Sequence, residues 1–282
     1  MRRLPPVSFF AVSAIFHYLG PSLAVLLFAR IPAPGVLWLR IVTAAAVFAA
    51  WRRPWRLAGQ LDRRQLVTLV ALGGVLAGMN ALFYLAVARL PLATVGAIEF
   101  LGTVVLAALG ARTRRNAAAL GLCVGGVAVL TAIQAGASPL GLVFAFGNCA
   151  GFMLYVMLGH RVANTAVRGT FGGIDQLGAA MLIAAVFVTP AGLGAALPAF
   201  THPVWLAWGI GVGVCSSVIP YVTDQLAMAR LPRATFALML ALLPAFAVVI
   251  GAVVLHQIPS VRELAGIALV IAGIAIHQAD TR

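Results

Sequence analysis

Lysine is absent from this 282-residue chain, so its fixed positive charge is carried by arginine alone. Acidic residues are nearly as scarce: Asp and Glu number 6 against 19 Arg, for a formal net charge of +13. Charged residues make up 9% of the chain, where a soluble globular domain carries roughly 25%. That shortage, with 63% hydrophobic residues and a mean hydropathy of +1.07, excludes a water-soluble fold. Cysteine is rare as well. Cys123, Cys149 and Cys215 each fall inside an apolar run, where a free thiol behaves as a small hydrophobe. They offer neither a disulfide framework nor metal-ligand spacing. Catalytic signatures are also missing: there is no His-Glu-x-x-His, no Gly-x-Ser-x-Gly, no P-loop and no clustered carboxylates. The composition therefore assigns no catalytic residue, no cofactor and no metal. The arginines are scattered through short loops, which speaks against nucleic acid as a partner.

What remains is a series of apolar runs about 17–25 residues long, the length a helix needs to cross roughly 30 Å of hydrocarbon. They lack the alternating pattern of an outer-membrane barrel. The chain reads as an all-α polytopic membrane protein with ten transmembrane helices. The spans fall at 7–28, 35–51, 65–88, 92–110, 117–134, 140–159, 171–190, 204–229, 234–255 and 263–277. The first, behind Arg2 and Arg3, is about 20 residues long and is taken as a span, not a cleaved leader.

Ten spans place alternate loops on opposite sides, and the arginines follow that division. With both termini in the cytoplasm, the inner segments hold Arg2, Arg3, the cluster from Arg52 to Arg64, Arg112, Arg114, Arg115, Arg161, Arg168, Arg230, Arg233 and Arg282. The outer loops hold Arg30, Arg89 and Arg262, and Arg40 lies within a span. This asymmetry is the positive-inside rule.

The phrase Ala88-Arg89-Leu90-Pro91 recurs 141 residues later, as Ala229-Arg230-Leu231-Pro232. Ala93-Thr94 is likewise answered by Ala234-Thr235. The chain thus divides into two five-helix units, 1–138 and 139–282. An odd number of spans per unit inverts the second copy, and such inverted repeats place substrate at the midplane between the halves. Small-residue pairs Gly74/Gly78, Gly121/Gly125, Gly147/Gly151 and Gly209/Gly213 suit close helix packing. Pro220 and Pro244 should kink or unwind their spans, freeing carbonyls toward a cavity or another helix.

An ionisable side chain in the bilayer costs roughly 2.5–3.5 kcal/mol or more, so it ordinarily faces a cavity or a partner. Arg40 and Glu99 both lie near 10 Å from the outer end of their spans, at 1.5 Å per residue. They could form a structural ion pair, or a solute site in which Arg40 takes a carboxylate and Glu99 an amine or a proton. Asn80 and Tyr84 add neutral hydrogen-bonding groups one turn apart on the third span. His17 on the first span, and Tyr221 with Asp224 on the eighth, are further candidates for solute binding or proton coupling. The polar groups stand in separate clusters and not in a continuous row, which argues against a channel or a passive scaffold.

Gly78-Met79-Asn80, Leu82-Phe83-Tyr84-Leu85, Pro91-Leu92 and Glu99-Phe100 with Gly102 resemble the third and fourth spans of EamA-type transporters, in the drug/metabolite transporter superfamily. Leu39-Arg40, Pro54-Trp55-Arg56-Leu57, Pro220-Tyr221, Arg230-Leu231-Pro232 and Thr235-Phe236 are similar to the threonine/homoserine exporter branch. The resemblance implies an inner-membrane, multi-pass, proton-coupled exporter of amino acids or related small metabolites. It leaves open whether the protein is a monomer or a homodimer. Three positions depart from the pattern: Thr103 where Pro is usual, Leu243 before Pro244 where Glu is usual, and His256-Gln257 where Gly-Glu closes the ninth span. With those carboxylates gone, broader efflux of more hydrophobic compounds is the alternative, and Phe83, Phe100 and Phe246 would suit it.

The topology carries its own test. In intact cells without the native cysteines, a cysteine introduced between Arg52 and Arg64 should resist an impermeant external thiol reagent. Strong labelling there would invert the arrangement.

Overall fold

The computed structural model describes residues 6–57, 59–110, 113–134, 138–164, 173–228 and 243–278. All regular structure among the described residues is helical, as expected where backbone groups have no water to bond with. The helices are α1 (Pro6–Leu27), α2 (Ala33–Arg52), α3 (Arg63–Val87), α4 (Leu92–Gly110), α5 (Arg114–Gln134), α6 (Pro139–Asn164) and α7 (Gly173–Phe200). The path then continues through α8 (Pro203–Gly213), a π-helical stretch (Val214–Val218) and α9 (Ile219–Met228). It ends with α10 (Leu243–Leu255) and α11 (Val261–Gln278). Residues 229–242, with the second copy of the Ala-Arg-Leu-Pro phrase, lie outside the described residues.

Four of these helices are long and apolar enough to cross a membrane: Ala33–Arg52, Arg63–Val87, Gly173–Phe200 and Pro203–Thr223. Shorter apolar stretches join them at Val12–Leu27, Leu92–Gly102, Pro139–Tyr155 and Leu243–Leu255. Val186 and Val204 are each 72% exposed and Val253 69%, a surface suited to lipid tails.

Helix ends follow local chemistry. Asp62 and Gln65 close a capping box at the start of α3, with bonds of 2.7 and 2.9 Å. Ser260 and Glu263 do the same for α11. At the end of α10, His256 adopts a left-handed φ of 55° and the Gln257 N–H returns to the Gly251 carbonyl at 3.0 Å. His256 thus takes the left-handed position after a helix end where glycine is the usual residue. The Gln257 side chain then accepts the Leu92 N–H at 3.1 Å, tying the start of α4 to the α10–α11 loop.

The seventh helix corrects the expected span. It runs ten residues past Pro190, through Pro198 as well, to Phe200. Packing along α2 sustains it. Trp38 donates to Thr189 Oγ1 at 3.0 Å. Gly192 sits so close to α2 that a Cβ there would lie 2.6 Å from the Trp38 Cβ and 2.8 Å from the Pro34 carbonyl oxygen. At the other end, Arg52 in the last turn of α2 grips Asp175 in the first turn of α7 through two bonds of 2.8 and 3.0 Å. Each charge also lies at the helix end whose dipole favours it.

Helix pairing beyond α2–α7 has a regular pattern. α5 lies along α11, and α4 packs on α10. α3 packs on α6, and α1 on the α8–α9 path. α3 also meets α7 while α2 meets α8, and α4 meets α6 while α1 meets α10. Of the expected small-residue pairs, Gly147/Gly151 and Gly209/Gly213 do bring helices together. A Cβ at Gly121 or Gly125 would meet nothing, and Gly126 instead seats α5 against Gly266 of α11. On α3, Gly74 meets Phe187 of α7 and Gly73 packs more closely still, whereas a Cβ at Gly78 would meet nothing.

Two neighbouring glycines of α7 test this packing. Gly192→Leu should lower the thermal midpoint of the detergent-solubilised protein, by overpacking worth about 1–3 kcal/mol. Gly194→Leu, at a position where a Cβ has open space, should leave the midpoint near wild type.

Candidate solute site

Arg40 is 5% exposed, held inside the helix bundle. Its place follows from the break in the α8–α9 path. Pro220 has no N–H to return to the Ser216 carbonyl four residues earlier, and the helix widens to a π-turn just before it. Arg40 Nη2 donates to that Ser216 carbonyl at 3.2 Å, and Arg40 Nε donates to Ser217 Oγ at 2.9 Å. The Ser216 hydroxyl bonds back to the Val212 carbonyl. Close approach of α8 to α2 depends on Gly213, where a Cβ would stand 2.9 Å from the Arg40 carbonyl oxygen. The guanidinium carbon lies 5.2 Å from the Tyr84 ring centroid, a cation–π contact. Two of the five guanidinium donors are thus used, and three remain without a partner among the described residues.

Glu99 on α4 is also 5% exposed. Glu99 and Arg40 line one cavity of about 50 Å³, yet no ion pair within 4.0 Å joins them. A direct ion pair, one of the two readings the sequence allowed, is therefore not formed here. Glu99 Oε2 has no hydrogen-bond partner. Asn148 of α6 is fully buried and its amide interacts with this carboxyl, yet neither amide atom makes a close hydrogen bond to a protein group.

Most of the residues singled out in the sequence converge on this cavity: His17, Arg40, Asn80, Glu99 and Tyr221 all line it. Asn80 bonds back to the Leu76 carbonyl at 2.7 Å, so its amide nitrogen is satisfied within its own helix. Tyr84 stands behind Arg40, its hydroxyl unpartnered. Its other neighbour is an apolar groove of about 400 Å³ between α2, α3 and α7, lined by Leu37, Gly78 and Phe187 among others. His17 meets Tyr18 edge-on at 5.2 Å, and the Tyr18 hydroxyl lies against Gly96, one turn before Glu99. Asp224 belongs to α9, and its side chain lies outside the described residues.

Three contributors were not anticipated. Ser216 and Ser217 look like ordinary small helix residues until Pro220 is placed after them. Asn148 could have been found by the reasoning applied to Asn80, a lone amide inside an apolar run. Among the described residues, the buried side-chain atoms without a partner are the Tyr18 and Tyr84 hydroxyls, Glu99 Oε2 and both amide atoms of Asn148. Buried polar atoms are ordinarily paired. Here Glu99 and Asn148 line the cavity itself, while Tyr84 stands against Arg40 and Tyr18 against His17.

The coupling of Arg40 to the proline break is testable by a double-mutant cycle. Arg40→Met leaves the Ser216 carbonyl without its donor and should lower the thermal midpoint, at a cost of about 1–3 kcal/mol. Adding Pro220→Ala supplies a backbone N–H four residues ahead and should recover part of the loss. Strictly additive effects would break the link.

Comparison with known proteins agrees with this architecture. Residues 139–277 match the EamA-like transporter family. The threonine/homoserine exporter RhtA of Salmonella typhimurium (strain SL1344) is 31% identical over 262 residues, covering 91% of this chain and 86% of the exporter. The threonine/homoserine exporter RhtA of Escherichia coli (strain K12) is 30% identical over 278 residues, covering 96% and 92%. A solved crystal structure shares the fold with a TM-score of 0.58 at 20% identity, over 99% of both chains. This multi-pass membrane protein belongs to the EamA-like transporter family and is a transporter, not an enzyme.

Proposed function

We propose that the protein is an inner-membrane exporter of small zwitterionic amino acids of the threonine and homoserine kind, driven by protons through alternating access. One observation carries the reading: Arg40 and Glu99 line the same cavity without pairing to each other. Three guanidinium donors and one carboxylate oxygen remain for a solute. A zwitterion supplies both complements, its carboxylate to Arg40 and its ammonium to Glu99. Each charge then trades water for a charge-assisted hydrogen bond. The names of the relatives, threonine/homoserine exporters, support the substrate class.

Alternating access has its own support. Exchange each helix for the one five spans along, and the α3–α6 contact becomes the contact of α1 with the α8–α9 path. The α3–α7 contact becomes α2–α8, and α4–α6 becomes α1–α10. That exchange supports two five-helix repeats, 1–138 and 139–282, which an odd number of spans per unit would make inverted. The 141-residue offset seen in the sequence also carries Asn80 onto Tyr221, and both line the cavity. A space of about 50 Å³ is far below the roughly 300 Å³ of an ordinary ligand site. Admitting an amino acid therefore requires the two halves to part. The arginine distribution supports cytoplasmic termini. Broader efflux of hydrophobic compounds is the second reading, favoured by the apolar groove behind Tyr84.

In proteoliposomes, amino acids should compete with labelled threonine and lipophilic cations should not; the opposite ranking would favour the second reading. Glu99→Gln should reach the membrane at normal abundance, yet lose transport driven by an imposed pH gradient. Normal pH-driven transport by that variant would remove Glu99 from the site.

A further inference from the structure

We propose that Asn148 determines specificity within this site, reading a hydroxyl on the side chain of the transported amino acid. The inference rests on the zwitterion reading above and adds a third recognition point to it. Packing holds Asn148 in place. Gly147 and Gly151 on either side of it let α6 settle onto Leu82 and Met79 of α3, where Cβ atoms would come within 3.2 and 3.1 Å. Gly102 of α4, one turn beyond Glu99, seats against α6 so closely that a Cβ there would lie 3.0 Å from Cys149 Sγ. The close approach of both helices leaves the Asn148 amide fully buried beside the Glu99 carboxyl, on the wall of the cavity.

The comparison with Asn80 shows what is unusual. Asn80 is equally buried and satisfies its amide nitrogen on the carbonyl four residues earlier. The same option is open to Asn148, whose helix presents the Phe144 carbonyl, and it is not taken: both Oδ1 and Nδ2 are unpartnered. An unpaired amide in an apolar interior is costly, so its complement should be part of the working complex.

The chemistry of that complement follows by matching donors and acceptors. A solute carboxylate only accepts and is served by Arg40. An ammonium only donates and is served by Glu99. An amide presents an acceptor and donors side by side, and a group that does both is its match. On a cavity wall shared with Phe83 and Phe152, the smallest such group is a hydroxyl.

The test compares threonine with its isostere valine in proteoliposomes, for the wild type, Asn148→Leu and Asn148→Ser. The wild type should favour threonine by at least about tenfold in kcat/KM. Asn148→Leu should bring the ratio close to one, with threonine transport falling and valine transport held or raised. Asn148→Ser, which keeps one hydroxyl, should retain part of the preference. Because Asn148 makes no close hydrogen bond and interacts only with the Glu99 carboxyl of the site itself, the Leu variant should match the wild type in abundance and thermal midpoint. An unchanged threonine-to-valine ratio in Asn148→Leu would overturn the assignment. So would an equal loss of both substrates with a lowered midpoint, which would make Asn148 a packing residue. A wild type that moves both amino acids without preference sinks the hydroxyl assignment alone. A wild type that moves neither sinks the zwitterion reading beneath it.

Discussion

A carbonyl that loses its donor inside hydrocarbon must find another, and in this protein that constraint locates the central arginine. Pro220 withdraws the N–H that the Ser216 carbonyl would otherwise use, and the helix relaxes into a π-turn. Arg40 reaches across from α2 to supply the missing donor. The exchange solves two problems at once. The broken helix is satisfied, and a guanidinium that would be expensive alone in a bilayer gains two protein acceptors and an aromatic face. The guanidinium donors left over belong to a residue that lines the cavity.

The cavity is uneven in its satisfaction. On the side of α2 and the α8–α9 path the polar groups are bonded: Arg40 to Ser216 and Ser217, and Ser216 to its own helix. On the side of α4 and α6, Glu99 Oε2 and the whole Asn148 amide lack partners. A fixed half and an unfilled half make chemical sense in a carrier. The bonded half keeps its shape, while the unbonded half gains most from a solute and responds most strongly to it.

Glycine decides how near the helices come. Hydrocarbon offers little drive for apolar side chains to cluster, so helix association in a membrane depends on close contact and on the few hydrogen bonds between helices. Gly192 on α7, Gly213 on α8, Gly126 on α5 and Gly147 with Gly151 on α6 each admit a neighbouring helix to a distance that a side chain would forbid. The long α2–α7 contact is closed at one end by Arg52 and Asp175 and braced further along by Trp38 and Thr189.

Much was legible in the chain itself, because hydrophobic length and arginine placement are properties of short windows. The fourth helix, Leu92–Gly110, occupies the expected run, and most other helices start or stop within a few residues of theirs. The lone polar residues Arg40, Asn80 and Glu99 stood out for the same reason: each is costly in its own span whatever the fold. Partnership was not legible, since it depends on which helices touch. Arg40 and Glu99 read as a possible ion pair from depth alone, yet Arg40 spends two donors on the α8–α9 path and the two charges share a cavity without joining. Pro190 read as the end of a helix, but packing against α2 carries α7 on to Phe200. Which glycine faces a neighbour, Gly73 or Gly78, Gly126 or Gly125, is a matter of helix rotation that local sequence does not encode. The sequence by itself determined a multi-pass helical protein and the polar residues it could least cheaply bury. Only the tertiary structure decided which of them are satisfied by protein and which are left for something else, because a hydrogen bond between helices is set by how those helices pack.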